Sequence, residues 1–141
     1  MNIKVTPGRT IIGRLSKDED LLTGLENCAR QHGITLGAVQ AIGAVSQARI
    51  ACYDQTARQY NFLDLARPLE ITSLSGNISL REGKTIIHAH LTLADSEGRA
   101  FGGHLAEGTL VFACEFILQE YQSATPLVRQ PDDPTGLLLW R

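Results

Sequence analysis

Apolar and polar positions alternate most cleanly in Lys84-Thr-Ile-Ile-His-Ala-His-Leu-Thr-Leu93. Ile87, Ala89, Leu91 and Leu93 fall in one phase and predict a strand with one face on the core. The opposite phase holds Ile86, His88, His90 and Thr92. A different period governs the segment after Ser16. There Leu21, Leu22, Leu25, Cys28 and Ala29 form an apolar stripe at helical spacing. Ser16-Lys-Asp-Glu19 reads as a capping box, with Ser16 accepting from the Glu19 amide and Glu19 reaching back. Gly33 supplies the stop, and His32 reads as a helix-end residue in the last turn.

The rest of the pattern predicts strands. Thr10–Leu15 is a short first strand. From Gly37 to Tyr53 the residues are small and apolar, with Ile42, Ala44, Ser46, Ala48, Ile50 and Cys52 expected on the inner face. Arg67–Leu80 is a further strand, expected to be bulged near Gly76. Arg81-Glu-Gly-Lys84 is a turn that pairs this strand with the histidine strand, and Asp95–Gly98 is the next turn, with its acids expected in solvent. Thr109–Leu118 and Gly136–Trp140 close the set. The expected fold is α+β: a mostly antiparallel sheet with one main helix packed on it, in one domain over residues 1–141.

One helix cannot cover two sheet faces. In this phase assignment the second face carries the histidines with Val45, Val111, Ala113 and Ile117, too apolar for water, so a homo-oligomer is expected. Glu115 falls in the same phase. It is expected to be buried and paired with an arginine such as Arg14 or Arg49, across the sheet or a subunit boundary, since an unpaired buried carboxylate is costly.

Composition narrows the class. The chain has 141 residues, 43% hydrophobic content and a formal net charge of −2. That supports a packed core and argues against a polyanion-binding tail. No run of eighteen apolar residues and no signal-like start is present, so a cytoplasmic location without a membrane partner is expected. Cys28, Cys52 and Cys114 are few and scattered, and read as small buried hydrophobes.

The candidate chemistry is histidine-based. His88 and His90 share a strand face, and His104 follows two glycines that let its backbone approach closely. Three imidazoles on one divalent ion, zinc above all, form a common site with an open position. Neutral ligands leave the ion's charge free to acidify water, with Glu107 or Glu115 as proton acceptor. No acid adjoins the histidines, which argues against an oxygenase-type iron site.

Arg67-Pro-Leu-Glu-Ile-Thr-Ser-Leu-Ser-Gly-Asn77, Gly43-Ala-Val45, His88-Ala-His90 and Gly102-Gly-His-Leu105, with the Ser16–Leu21 and Thr135–Leu139 segments, together resemble the plants-and-prokaryotes-conserved (PPC) domain. The likeness covers residues 8–140. It implies a homotrimer, a metal at His88, His90 and His104, and a DNA-binding or regulatory role; no enzymatic activity is implied. Plant members join the domain to a basic arm that enters the minor groove. This chain has no Arg-Gly-Arg-Pro arm, so its charge lends DNA binding little support. A metal-dependent enzyme or small-molecule binder using the same histidines is the alternative.

Overall fold

A computed structural model describes residues 1–141. Ten elements follow one another: β1 Thr6–Leu15, α1 Leu21–Gln31, β2 Gly37–Asp54, β3 Gln59–Leu65, β4 Leu69–Arg81, β5 Lys84–Ala94, β6 Ala100–Leu105, β7 Leu110–Gln122, β8 Arg129–Asp132 and β9 Leu137–Trp140. Seven strands form one antiparallel sheet in the order β1-β7-β2-β4-β5-β6, with β3 joined to β2. The fold is α+β, mostly antiparallel strand with one helix, as the two hydrophobic periods predict. None of its helices is long and apolar enough to cross a membrane.

The long strand β2 organises the sheet. Its first half lies between β7 and β4, and its second half between β3 and β6. Because β6 also pairs with β5, the path β2-β4-β5-β6 closes back on β2 at Ile50 and Ala51. That closure removes an open edge. It also sets β6 between the end of β2 and the histidine strand β5.

The helix packs one face of this sheet. Leu21, Leu25 and Ala29 are fully buried, as the stripe predicts. The capping box is only half formed. Glu19 does reach back to the Ser16 amide at 3.0 Å, but Ser16 lies in a preceding turn. The N-cap is Asp20, whose carboxylate accepts from the Thr23 amide at 2.9 Å. At the other end the Ile34 amide donates to Ala29 at 2.9 Å, closing the helix around Gly33. Glu26 ties the helix to the sheet by accepting from the Ile87 amide of β5.

The inner face of β2 differs from the simple alternation. Val39, Ala41, Val45, Ala48, Ile50 and Ala51 are buried, whereas Ile42 is 58% exposed and Cys52 is exposed. Register shifts between Ala41 and Gly43, and again around Val45, change the phase. Gly43 holds φ 143° with its Cα against the Ala113 carbonyl, a position only glycine tolerates. Val45 and Val111 therefore belong to the core at 0% exposure and not to the second face. The bulge in β4 is at Thr72, skipped between Ile71 and Ser73, rather than near Gly76. Two short strands, β3 and β8, lie outside the elements expected from the pattern.

Ion pairing also departs from expectation. Glu115 is exposed and makes no ion pair; Arg14 faces it in register across β1 and β7. Arg49 pairs with Asp64 at 3.5 Å instead and lies over the Phe62 ring. Asp95 is not solvated, because its side chain is 6% exposed. It accepts from the Arg99 side chain at 2.8 Å and from the Glu97 and Arg99 amides of its own turn. The second face does carry apolar residues: Ile12, Ile42 and Ile117 are 77%, 58% and 41% exposed and border one depression with Glu115.

Candidate metal centre

Strand alternation puts Ile87, Ala89, Leu91 and Leu93 in the core, which turns His88 and His90 to the opposite side of β5. Strand β6 pairs with β5 so that His104 stands directly across from His90. Gly103 is what allows β6 to sit between β5 and the end of β2. A side chain there would meet the Ala51 carbonyl at 2.7 Å. The structure therefore brings together His88, His90 and His104, and the fourth histidine, His32, is the C-cap of α1.

The three rings are 4.9 to 5.4 Å apart by centroid. One ring nitrogen from each lies within 4.8 Å of the others. The Nε2 atoms of His88 and His90 are 3.3 Å apart. Two nitrogens bound tetrahedrally to one zinc ion at ~2.0–2.1 Å would be separated by about 3.3–3.4 Å. On His104, Nδ1 is buried with no hydrogen-bond partner. A buried imidazole nitrogen without a partner is costly unless something binds it. Spacing, donor type and the orphaned nitrogen all fit a borderline-soft divalent ion.

Burial and a neighbouring cation favour the neutral form of His88 and His104. Burial first, then Arg129, then the other two histidines pull His88 down to about 4. His104 is lowered by burial, then His90 and Arg129. Neutral imidazole is the form that ligates a metal.

Arg129 was not among the residues singled out from the sequence. Only 9% exposed, it projects from β8 beneath the histidines. Its Nε donates to Ser79 at 3.0 Å, Nη1 to the Leu138 carbonyl at 2.9 Å, and Nη2 to Asn77 at 2.8 Å. Nη2 also lies 3.2 Å from Nδ1 of His88. A guanidinium only donates, so with no ion on the cluster Nδ1 of His88 accepts and the ring's proton sits on Nε2, facing His90. Tyr60 of β3 is the other newly found neighbour, its ring 5.0 Å from that of His104. Burial raises its hydroxyl first, then Tyr53, against a lowering by Arg129. Arg129 gives one signal in the sequence: a lone cation after Pro126-Leu127-Val128. Tyr60 gives none.

Neither proposed proton acceptor joins the cluster. Glu107 is exposed in the turn between β6 and β7, and Glu115 lines the depression on the second face.

The description of the Plants and Prokaryotes Conserved (PCC) domain matches residues 3–122. The chain belongs to this family, the PPC family of the resemblance above. A metal-containing protein from Archaeoglobus fulgidus is 36% identical, with a TM-score of 0.95 over 100% of this chain and 99% of its own. The PPC protein of Pyrococcus horikoshii is 34% identical, with a TM-score of 0.94 over 100% and 96%. A candidate DNA-binding protein of Ralstonia eutropha is 28% identical, with a TM-score of 0.81 over 92% and 89%. The bifunctional protein GlmU of a Synechococcus strain is 38% identical over 126 residues, 89% of this chain. The chain spans only 19% of that relative's length.

Proposed function

We propose that this PPC-family chain holds one divalent ion, zinc in the first place, on His88, His90 and His104 and uses it to bind or act on a small molecule. The 3.3 Å spacing of the His88 and His90 Nε2 atoms carries this reading. The metal-containing relative from Archaeoglobus fulgidus supports it. Three histidines leave a coordination position for a ligand, where the ion would act as a Lewis acid. The chain's own residues frame the site: Arg129, held by Asn77, lies beside His88, and Tyr60 backs His104. Metal analysis after purification from mixed-metal medium is expected to give about one ion per chain. Protein that takes up no stoichiometric zinc, nickel, iron or copper overturns the reading.

The same proposal includes a homotrimer. Ile12, Ile42 and Ile117 form an exposed apolar strip on the face that the helix leaves open. Sedimentation at micromolar concentration is expected to give three times the 15.4 kDa chain mass. A monomer refutes it.

DNA binding is the second reading, favoured by likeness to the Ralstonia eutropha protein. Charge opposes it: 13 cations stand against 15 acids. Anisotropy with AT-rich and GC-rich duplexes is expected to show dissociation constants weaker than about 10⁻⁶ M at physiological salt. Submicromolar binding with an AT preference would put this reading first.

A further inference from the structure

Beside the histidines a cleft of about 420 Å³ opens between β5 and the β8–β9 hairpin. That is the size of a small-molecule site. Its lining includes Arg58, Arg81 and Arg129 with His88 and His104, and contains no aspartate or glutamate. In a chain of net charge −2 that is a pronounced local excess of cations. We propose that this cleft seats a small anionic ligand, whose carboxylate or phosphate head meets Arg129 and whose apolar body lies along the hairpin. The proposal deepens the metal-centre reading and rests on it for the ligand's position.

Arg129 carries the argument. Its partners, Ser79, Asn77, His88 and the Leu138 carbonyl, are all neutral. A guanidinium has five N–H groups, and these contacts use four, leaving one on Nη1. A buried charge normally has an opposite charge beside it. Of the acids near the hairpin, Asp132 accepts from Thr135 and Arg141, Glu82 is an exposed partner of Arg81, and Asp133 is exposed and outside the cleft lining. The positive charge of Arg129 is thus oriented by its neighbours and left without a counterion.

The histidine contact adds a second requirement. With an ion on Nε2 of His88, the ring's proton resides on Nδ1, which lies 3.2 Å from the donating Nη2 of Arg129. Two donors at that separation need an acceptor between or beside them, and an anionic oxygen is one. Arg58 reaches the same cleft while two of its nitrogens hold the Asp133 and Pro134 carbonyls at 3.2 Å. Ile86, Leu137 and Leu139 also line the cleft and suit a short hydrocarbon body.

The test is calorimetric titration with hexanoate, hexyl phosphate, inorganic phosphate and neutral hexanamide. Each is run on zinc-loaded and on chelated protein with the ion content measured. The better of the two tailed anions should bind at least tenfold more tightly than hexanamide, and which one wins identifies the head group. Arg129→Gln should remove that preference, whereas Arg9→Met, far from the cleft, should keep it. If Arg129→Gln does not fold, Arg81→Gln at the rim should weaken the anion about threefold. The wild-type ratio of anion to amide needs no variant at all. Equal binding of hexanamide and the anions overturns the proposal, as does an unchanged preference in folded Arg129→Gln. Inorganic phosphate as tight as hexyl phosphate overturns the apolar half. Zinc retained without anion preference sinks this inference alone. Anion preference in a protein that never holds metal sinks the metal reading and leaves the anionic seat standing.

Discussion

Arg9 and Arg129 both cross from one strand to another, and they are balanced in opposite ways. Arg9, at the outer edge of the sheet, grips Glu120 through Nε and Nη2 at 2.8 Å each. Its side chain is 56% exposed. Arg129 is 9% exposed and has no carboxylate within 4 Å, only neutral acceptors. The first is a neutralised surface pair that joins β1 to β7 and also donates to the His32 carbonyl at the end of α1. The second keeps its full charge at the floor of a cleft, next to the three clustered histidines. Where a protein balances its own charges it builds structure; where it orients a charge without balancing it, a ligand is the missing partner.

The sharpest way to test that contrast is metal content. His88→Ala combined with His104→Ala should lower ion affinity by more than about 100-fold, because even changes around the ligands cost 10–100-fold. Arg9→Met should leave the ion content at the wild-type value. Mass spectrometry of both variants under native conditions reads this directly, and retained metal in the double variant breaks the contrast.

Next comes stability. Arg129→Met removes four donors and leaves Ser79, Asn77 and the Leu138 carbonyl short of a partner. Urea unfolding should show a loss of about 2 kcal/mol. A variant as stable as the wild type would mean that Arg129 adds nothing to the packing of β8, and that its only role is towards a ligand.

The histidine cluster should show a pH signature in chelated protein. The His88 pKa falls from 6.5 to about 4, mainly through burial and then through Arg129. Between those values the unfolded chain binds a proton that the folded chain refuses, so unfolding becomes easier as pH falls. Stability is full above pH 6.5 and declines until about pH 4. The ring is only half-buried, so solvent screening limits the loss to roughly 1–2 kcal/mol. Unfolding midpoints taken at intervals from pH 7 to 4 check it. A flat profile would show that neither burial nor Arg129 disfavours charge on His88.

How much of this could be read from the chain alone depends on how local each feature is. The histidine face was legible because the period of two in residues 84–93 is unbroken and a two-residue turn, Glu82-Gly83, fixes its pairing. The helix was legible from its stripe, and His104 from its glycines. Strand β2 was not, because bulges on either side of Gly43 switch its faces and move Val45 into the core. The same irregularity with β7 put Val111 inside, out of phase with Ala113, Glu115 and Ile117, which stay on the open face. Strand β3 escaped the pattern because six of its seven residues are exposed. Arg129 lies 41 residues from His88 and 52 from Asn77 along the chain, and no local period encodes such a contact.

The smallest expected effect belongs to Arg9. Its guanidinium holds the Glu120 carboxyl down to about 2, first by the side-chain hydrogen bond and then through the Arg9 amide. A depressed acid gives stability that is present above its ordinary value near 4.5 and lost as pH falls towards 2. This window lies below the one for His88, so the two arginines can be separated in one titration. Arg9→Met should flatten the acid limb below pH 4.5 and leave the decline between pH 6.5 and 4 in place. Its effect near neutral pH should be slight and should fade as salt is raised, because the pair is exposed and screened. Measuring thermal midpoints of wild type and Arg9→Met at pH 3, 5 and 7, at low and high salt, decides it. A large salt-independent loss at pH 7 would show that the edge pair is as deeply built into the fold as the cleft arginine, and the contrast between the two would fail.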